Sequence, residues 1–516
     1  MKQFLSRHSS RIIAALSGFD RIVFRGTLRQ LAHVGGLLSF LCYKRVLLKD
    51  FGSYAEALTE QVRTASEQVA EAAGRPVVYL PSTQEDKEKR VLAILKRQPI
   101  DSGLICVLSC VEPCRSFEIH RNRDSQRLEL RNTLRKCLHL YHYFLHPDFG
   151  LMHVRLQTWL PFTVNICLNG REWLAHQMTA AGIGYEQRDN CFVSIDDFPR
   201  AQHLLDQQLR TNWPQTLDRL RVSAHPAHGA LFANDVMPYY WSVHQMEWAT
   251  DVLFESPAAL AAIYPDLIRY AITQFSSADV MRFLGRKLTG LFKGEIVSDY
   301  GCRVEGLRVK HRVNSNSVKA YDKFQRILRV ESTINRPRDL KVYRRKEGDP
   351  KGPLAWRQLR KGVSGIHRIA EVSQAANERY LDALSQLENR TRVRDLVDRV
   401  CHPTTLRGQS VRALRPWSAP DIHLLQAVSR GEFVLTGFRN CDLRSILFPK
   451  SSACPPERKR ASGRVTRLLR LLRAHGLIRK LPKTHRYQLT VNGRATINAV
   501  LAARNAEIGA LLKAAA

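Results

Sequence analysis

The stretch Ser317-Val-Lys-Ala-Tyr-Asp-Lys-Phe-Gln-Arg-Ile-Leu-Arg-Val-Glu-Ser-Thr333 alternates apolar and polar side chains, which predicts a β-hairpin. Successive side chains of a strand point to opposite faces, so the apolar positions form the buried face: Val318, Ala320, Leu328 and Val330. The opposite face collects a phenol, two cations and a carboxylate: Lys319, Tyr321, Arg329 and Glu331. The stretch therefore predicts a sheet with one chemically active face.

Such a face suits chemistry on a phosphodiester. A tyrosine can attack phosphorus while neighbouring cations stabilise the phosphate charge and a divalent ion on a carboxylate polarises it. The alternative is a solvent-facing strand pair, in which Lys319, Arg329 and Glu331 are cross-strand charge partners and Tyr321 is amphipathic cover. The residues alone leave both interpretations open.

Charge is the outlying property of the composition. The 516 residues include 80 Lys and Arg against 47 Asp and Glu, a net charge of +33, which favours a polyanionic partner. That partner is a nucleic acid or an anionic membrane surface. We expect no membrane span, because no run of 18 apolar residues occurs, and no export signal. Eleven irregularly spaced cysteines suit a reducing cytoplasm better than a disulfide scaffold.

The chain is too long for one hydrophobic core. We predict an α+β multidomain protein with a central mixed or antiparallel sheet and helices. Residues 1–150 form an α/β region, 151–346 a central α+β region with the candidate active-site sheet, 347–420 a linker and long helix, and 421–516 a winged helix-turn-helix domain. Short strands are predicted at Val77–Leu80 and Cys191–Ile195, and the periodicity from Met237 to Lys293 in the central region predicts helices, one of them beginning near Ser242.

The last segment has the element order of a winged helix. Asp421, Asn440 and Ser462 begin three helices, and two short strands follow as a wing. The third helix turns an apolar stripe inward: Val465, Leu468, Leu469 and Leu472. The predicted DNA-binding residues are the arginines outside that stripe and two cations of the wing: Arg464, Arg467, Arg470, Arg473, Lys483 and Arg486. The alternative is a solvated basic helix in a protein-binding winged helix.

The same segment resembles the DNA-binding domain of MarR-like transcriptional regulators. The resemblance lies in Leu472-Arg-Ala-His-Gly-Leu-Ile-Arg-Lys480 and Arg486-Tyr-Gln-Leu-Thr-Val-Asn-Gly-Arg494. It implies duplex DNA as the partner and fixes no target sequence. The dimerising helices of a small regulator are not evident here, because the segment ends a long chain.

Metal-ligand candidates precede the hairpin. His244, Glu247 and Asp251 stand at i, i+3 and i+7, so on a helix they share one face. With Glu331 they could hold Mg²⁺ or Mn²⁺ for phosphoryl chemistry; the alternative is an ordinary polar helix face.

Further candidates are histidines at helical spacing, cysteines interpreted as buried free thiols, and one acid on a short predicted strand: His139, His142 and His146; Cys106, Cys110 and Cys114; and Asp20.

The hairpin resembles the tyrosine-lysine and arginine-glutamate strands of rolling-circle replication initiators of plasmids and filamentous phages, in Val318-Lys-Ala-Tyr-Asp-Lys323 and Leu328-Arg-Val-Glu331. The resemblance implies that Tyr321 nicks one DNA strand and stays attached to its 5′ phosphate, that Lys323 contacts phosphate, and that Glu331 supports a divalent metal. Many members carry a His-hydrophobic-His metal triplet, which this sequence lacks. Carboxylates would then hold the metal, or the sheet does not nick DNA.

The whole chain also resembles a group of uncharacterised basic bacterial proteins found among mobile or repeated genes. The first hypothesis is therefore a cytoplasmic, nucleoid-associated DNA-binding protein of mobile-element or replication-initiator type. The second is a non-enzymatic winged-helix regulator. The third is an RNA-binding protein in which Tyr321 stacks on bases.

Overall fold

The structure is a computed structural model, and it describes all residues except 234–236, 287, 289–291, 304–305, 350, 386–392, 430–432, 434–436, 450–454, 483 and 506–516. The chain forms two compact units. The sheet unit comprises Arg11–Ser256 and Arg326–Asn377, and the terminal unit comprises Met1–Ser10, Pro257–Gln325 and Glu378–Ala516. Each unit is thus built from segments that are distant in sequence.

Most of the described strands lie in the first two thirds of the chain. In chain order they are β1 (Ile12–Leu28), β2 (Val77–Leu80), β3 (Gly103–Arg121), β4 (Leu128–His146), β5 (Gly150–Gln157), β6 (Val164–Asn169), β7 (Tyr185–Arg188), β8 (Cys191–Ile195), β9 (Tyr239–Phe254), β10 (Ile296–Arg303), β11 (Gly306–Val313), β12 (Asn316–Lys323), β13 (Ile327–Ile334), β14 (Lys341–Arg344), β15 (Ala355–Gln358), β16 (Thr404–Leu406), β17 (Gln409–Val411), β18 (Ile478–Lys480) and β19 (Tyr487–Leu489).

The described α-helices are Lys2–Arg7, Val34–Tyr43, Phe51–Ala72, Lys87–Arg97, Gly170–Ala180, Phe198–Gln208, Trp213–Ala224, Ala227–Leu231, Pro257–Ala261, Tyr264–Gln274, Ser277–Phe283, Ile366–Leu384, Val393–Asp398, Ala419–Val428, Asn440–Leu447, Pro455–Ala474 and Val491–Asn505. Short 3-10 turns occupy Gln30–Ala32, Leu48–Asp50, Pro337–Asp339 and Val363–Gly365. The protein is a mixed α/β structure with a large sheet, as the sequence predicts at this level.

Eight strands of the sheet unit pair side by side in the order β13-β9-β1-β6-β5-β4-β3-β2, and β7 with β8 and β14 with β15 form two small separate sheets. The pair β2 and β3 is parallel, and the remaining neighbours in this order are antiparallel, so the sheet is mixed. The predicted boundary near residue 150 falls between β4 and β5, which are adjacent strands of this one sheet. The paired strands β1, β9 and β13 are the part that positions the candidate site.

Helices cover one end of the face on which the site lies. Leu16 of β1 packs in a buried cluster with Leu174 and Leu205 from the helices Gly170–Ala180 and Phe198–Gln208. Gly18 permits this approach, because a Cβ there would lie 2.8 Å from Leu205 Cδ1. The opposite face packs on the helix Ile366–Leu384, whose buried Asn377 Nδ2 donates to the carbonyls of neighbouring strands. These contacts fix the strand pairs on which the site is built.

The prediction of a helix beginning near Ser242 is wrong. Residues 239–254 form the long strand β9, with its buried side chains at alternate positions up to a register shift opposite Val23 and Phe24 of β1. That irregularity changes the spacing of two buried residues, Val243 and Met246, from two to three. A strand with one extra residue therefore imitates helical periodicity in the sequence.

The terminal unit contains the antiparallel strands β10, β11 and β12 and the C-terminal segment. The predicted helix Asn440–Leu447 is confirmed, and the predicted wing strands contain β18 and β19, which pair antiparallel. The third helix begins at Pro455, earlier than predicted, and Val465, Leu469 and Leu472 are buried as expected. Among the described residues, no helix combines the length and apolarity needed to cross a bilayer.

Candidate metal centre and nucleic-acid interface

Three carboxylates converge on the strands β1, β9 and β13. One oxygen from each of Asp20, Glu247 and Glu331 lies within 4.8 Å of the others. Glu331 pairs in register with Ala249, two residues from Glu247, and Asp20 stands at a register shift in β1 opposite Glu247. Asp20 and Glu331 are buried, with 5% and 1% exposure, whereas Glu247 is half-buried. Glu247 is therefore the member that connects the cluster to the surface.

A cluster of this kind favours a cation. Two unit charges 4 Å apart interact by about 4 kcal/mol at an effective dielectric constant of 20, so three neighbouring carboxylates stabilise a bound cation. Carboxylate oxygens are the ligands that Mg²⁺ and Mn²⁺ prefer. A divalent ion at this position could polarise a phosphoryl oxygen or activate a water molecule.

Arg329 anchors a buried network beside the carboxylates. Its Nε and Nη2 donate to the two oxygens of Asp251 at 2.5 and 2.9 Å, and Nη1 donates to Asp20 at 3.2 Å. Arg171 adds a second guanidinium, 3.0 Å from Asp251. Asn190 Nδ2 donates to both oxygens of Asp20, and its carbonyl accepts from Arg329. Asp251 is thus charge-neutralised, while Asp20 is held in a fixed orientation.

Two predicted metal ligands lie elsewhere. Asp251 belongs to the Arg329 and Arg171 ion pairs, and its carboxylate is not in the converging group. His244 stands at the register shift of β9 and lines a separate cavity. Both predictions assumed a helix, on which the spacing i, i+3 and i+7 would have put the three residues together. Of the predicted metal ligands, the structure brings Glu247 and Glu331 together.

The predicted catalytic residues divide between the units. Arg329, predicted to face a phosphate, is fully buried in the sheet unit. Lys319, Tyr321 and Lys323 lie on β12 of the terminal unit. The Nζ of Lys319 lies 5.3 Å from the ring centroid of half-buried Tyr321, and Lys323 is buried with its Nζ 5.6 Å from the ring centroid of Phe324. A cation beside the Tyr321 phenol is therefore part of the structure of β12.

A basic cavity of about 790 Å³ lies in the sheet unit. Its basic lining residues are the cations Arg25, Arg115 and Lys361, together with His244. Burial and the charges of Arg155 and Arg115 lower the pKa of Arg25, while burial and a set of arginines that includes Arg25 lower the pKa of Lys361. Burial, with Arg25, Lys361 and Arg155, likewise lowers the pKa of His244. Mutual repulsion of this kind is relieved by a bound anion.

The cavity and the carboxylates share the strand pair β1 and β9. Arg25 pairs in register with Ser242, and Arg21 pairs with Glu247 farther along the same two strands. His244 and Glu247 are three positions apart, or about 10 Å along a strand. A polyanion in the cavity would therefore lie within a few nucleotide lengths of the carboxylates.

The predicted DNA-binding arginines differ in exposure. Arg464 and Arg467 are exposed, whereas Arg470 and Arg473 are half-buried. Arg486 is half-buried, with its Nη1 donating to the Gly437 carbonyl at 3.4 Å. Lys483 lies outside the described residues. Arg464 and Arg467 are therefore the members of the predicted set that solvent reaches most freely.

The three histidines predicted at helical spacing lie on the strand β4 instead. Burial lowers the pKa values of His139 and His142 to about 4. His139 joins Cys114 and Cys137 in a buried group whose ligand atoms lie within 4.8 Å of one another. The sequence interpretation missed this group, because it paired the histidines with one another and treated Cys114 as an isolated thiol.

Comparison with known proteins gives no relative. A scan against protein-family models and searches of curated proteins and of solved structures found no match for this chain.

Proposed function

We propose that the protein binds DNA and cleaves or transfers its phosphodiester bonds with Mg²⁺ or Mn²⁺ held by Asp20, Glu247 and Glu331, as expected of a mobile-element or replication-initiator protein. The convergence of these carboxylates within 4.8 Å carries the proposal. The basic cavity on the same strand pair supports it, because cleavage needs the phosphate backbone held near the metal.

Each part of the site has a distinct role in this proposal. Glu247, the half-buried ligand, meets the incoming substrate, while buried Glu331 and Asp20 complete the cation site. Asn190 and Arg329 keep Asp20 in the orientation that a metal ligand needs. A divalent ion held by these three carboxylates would supply charge stabilisation to the phosphoryl oxygens during cleavage.

The attacking group that the carboxylate site supports by itself is water. A second route, implied by the resemblance to rolling-circle initiators, is attack by the hydroxyl of Tyr321, which lies on β12 of the terminal unit. Tyr321 is the candidate because Lys319 lies over its ring and because the strand resembles the nucleophile strand of rolling-circle initiators. Attack by Tyr321 would leave the chain joined to a 5′ phosphate, whereas attack by water would release both DNA ends. The products distinguish these routes.

A labelled single-stranded DNA incubated with the protein and Mn²⁺ tests the proposal. We expect cleavage that falls about 100-fold or more in Glu247→Gln, because a metal ligand loses its charge. Glu88→Gln is the matched control, since Glu88 is an exposed acid paired with Arg21 at the surface. A covalent adduct that disappears in Tyr321→Phe assigns Tyr321 as nucleophile; cleavage that persists in that variant assigns water. The absence of cleavage of single strands and duplexes with either ion contradicts the enzymatic proposal.

A second candidate function is duplex binding without chemistry, through the C-terminal segment. Three helices followed by the pair β18 and β19 have the order of a winged helix-turn-helix, and Arg464 and Arg467 are exposed on the third helix. In the full chain, we expect Arg467→Ala to weaken duplex affinity about tenfold, while exposed Arg269→Ala leaves it unchanged. Tighter binding of RNA than of any DNA, insensitive to Arg467→Ala, would favour the RNA-binding alternative.

A further inference from the structure

A buried group of soft ligands lies in the hairpin formed by β3 and β4. The Sγ atoms of Cys114 and Cys137 are 2.7 Å apart, and Cys137 Sγ lies 4.0 Å from His139 Nδ1. All three residues are buried, with 8%, 7% and 1% exposure. Two thiols and an imidazole at these distances are the ligand types of a thiophilic cation site.

The group lies at the root of this hairpin, where β3 and β4 begin to extend beyond the neighbouring strand β5. β5 pairs with β4 over His139–His146, while the pairing of β3 with β4 continues outward to Arg121 and Leu128. We call residues 114–137 the hairpin arm. It contains seven Lys and Arg against three Asp and Glu, and its residues Arg115 to Phe117 and Asn132 to Leu134 line the basic cavity. Cys114 and Cys137 are its first and last residues.

We infer that Cys114, Cys137 and His139 bind a thiophilic divalent cation of the Zn²⁺ class, which ties the two strands together at the root of the hairpin arm. The inference stands apart from the proposed phosphodiester chemistry, since it involves different residues and a different class of metal.

The present distances suit this ligand set after small side-chain rotations. With zinc–sulfur bonds of about 2.3 Å and zinc–nitrogen bonds of about 2.0 Å, tetrahedral ligands stand about 3.8 Å apart for two sulfurs and about 3.5 Å apart for sulfur and nitrogen. The sulfurs here would separate by about 1 Å, and the imidazole would approach by about 0.5 Å. His139 Nδ1 now lies 3.2 Å from the Cys137 carbonyl, and it would give up its hydrogen and this contact on binding the metal. A water molecule or another nearby group would complete the shell, as in zinc sites with three protein ligands.

Charge at the site is consistent with a dipositive ion. Two thiolates and one divalent cation form a neutral unit, which is the state that burial favours. Arg135, which follows along the arm, is directed over the ring of Trp159 at 4.0 Å from its centroid. The arm therefore has an aromatic contact next to its root as well as the proposed metal tie.

Cobalt substitution tests the inference on the full-length chain without a metal-binding tag. The protein is stripped with a chelator under reducing conditions and titrated with Co²⁺. We expect one equivalent to produce a thiolate-to-cobalt charge-transfer band that Zn²⁺ abolishes. Cobalt on the Asp20, Glu247 and Glu331 carboxylates has no sulfur ligand, so it cannot produce that band. The two metal sites are thereby distinguished in one titration.

Substitutions identify the ligands. We expect Cys114→Ser, Cys137→Ser and His139→Asn each to weaken Co²⁺ binding in this band at least about tenfold. Cys106→Ala is the matched control, because Cys106 is a buried thiol of the same strand β3 outside the group. If His139→Asn fails to fold, the two serine variants decide. A charge-transfer band that survives both serine variants, a titration that yields no band, or a Cys114–Cys137 disulfide formed in the presence of Zn²⁺ would overturn the inference.

Discussion

The strands β9 and β13 carry two carboxylate environments only four residues apart. At Asp251, two buried guanidinium groups neutralise the charge, and the carboxylate is part of the scaffold. At Glu247, the neighbours are the carboxylates of Asp20 and Glu331, the Nε2 of Gln245, which donates to Glu247, and the charge of exposed Arg21 on β1. The same sheet face thus joins an ion pair that stabilises the fold to an acidic cluster suited to a metal, and local charge balance separates the two roles.

The largest expected effect is the loss of stability when the buried guanidinium beside Asp251 is removed. Arg329→Met would leave Asp251 and Asp20 buried without their shared guanidinium, at a cost of about 3–5 kcal/mol. For a unit of this size we expect a fall in Tm of about 5–10 °C, measured by thermal unfolding. The control is Arg336→Ala, since Arg336 is 63% exposed in a surface pair with Asp339. Equal Tm values for the two variants would contradict a structural role for Arg329.

An intermediate effect compares the two carboxylates directly. Asp251→Asn removes the charge that two arginines need, so it should lower Tm by several degrees. Glu247→Gln removes one of three like charges, so in metal-free buffer it should leave Tm unchanged or raise it slightly. Addition of Mn²⁺ should raise the Tm of the unmodified protein and not that of Glu247→Gln. A loss of stability of the same size in both variants would remove the distinction between the two environments.

The smallest expected effect concerns the basic cavity next to the acidic cluster. His244 has a pKa below its usual value because of burial and the nearby charges of Arg25, Lys361 and Arg155. Phosphates in the cavity would favour the protonated imidazole, so oligonucleotide affinity should rise, by less than about tenfold, as the pH falls below 6.5. His244→Gln should flatten this dependence between pH 7 and pH 5. An affinity that falls with acidification in the unmodified protein would contradict binding in the cavity.

The spacing of apolar residues predicts the short, regular strands correctly, but it predicts a helix where the irregular strand β9 lies. Val77–Leu80 and Cys191–Ile195 form strands with the predicted bounds, because clear turns flank both. The strand β9 was predicted as a helix, because its register shift changes the spacing of the buried residues Val243 and Met246. Period-based reasoning has no means of recognising a single inserted residue within a strand.

Individual residues of the site can be predicted from the sequence, but their convergence at one place in the fold cannot. The residue types of Glu247 and Glu331 make them candidate ligands, and Asp20 is an acid on a short predicted strand, yet the contacts that join them span most of the sheet unit. The burial of Arg329 depends on the Asn190 carbonyl, 139 residues away. The missed residues Asn190, Arg171 and Arg25 have no local motif. Their roles follow from the pairing of distant strands, which a single sequence does not encode in its local periodicity.

The carboxylates of the site are far apart in the sequence, so the ribosome makes them at different times. Arg329 and its partner Asp20 are 309 residues apart, and Glu331 follows two residues later. At about 5–20 residues added per second, Asp20 waits roughly 15–60 s on the ribosome before Glu331 is made. On the proposed function, a nascent chain would carry Asp20 long before the cation site is complete, and cleavage would begin only once β13 is in place.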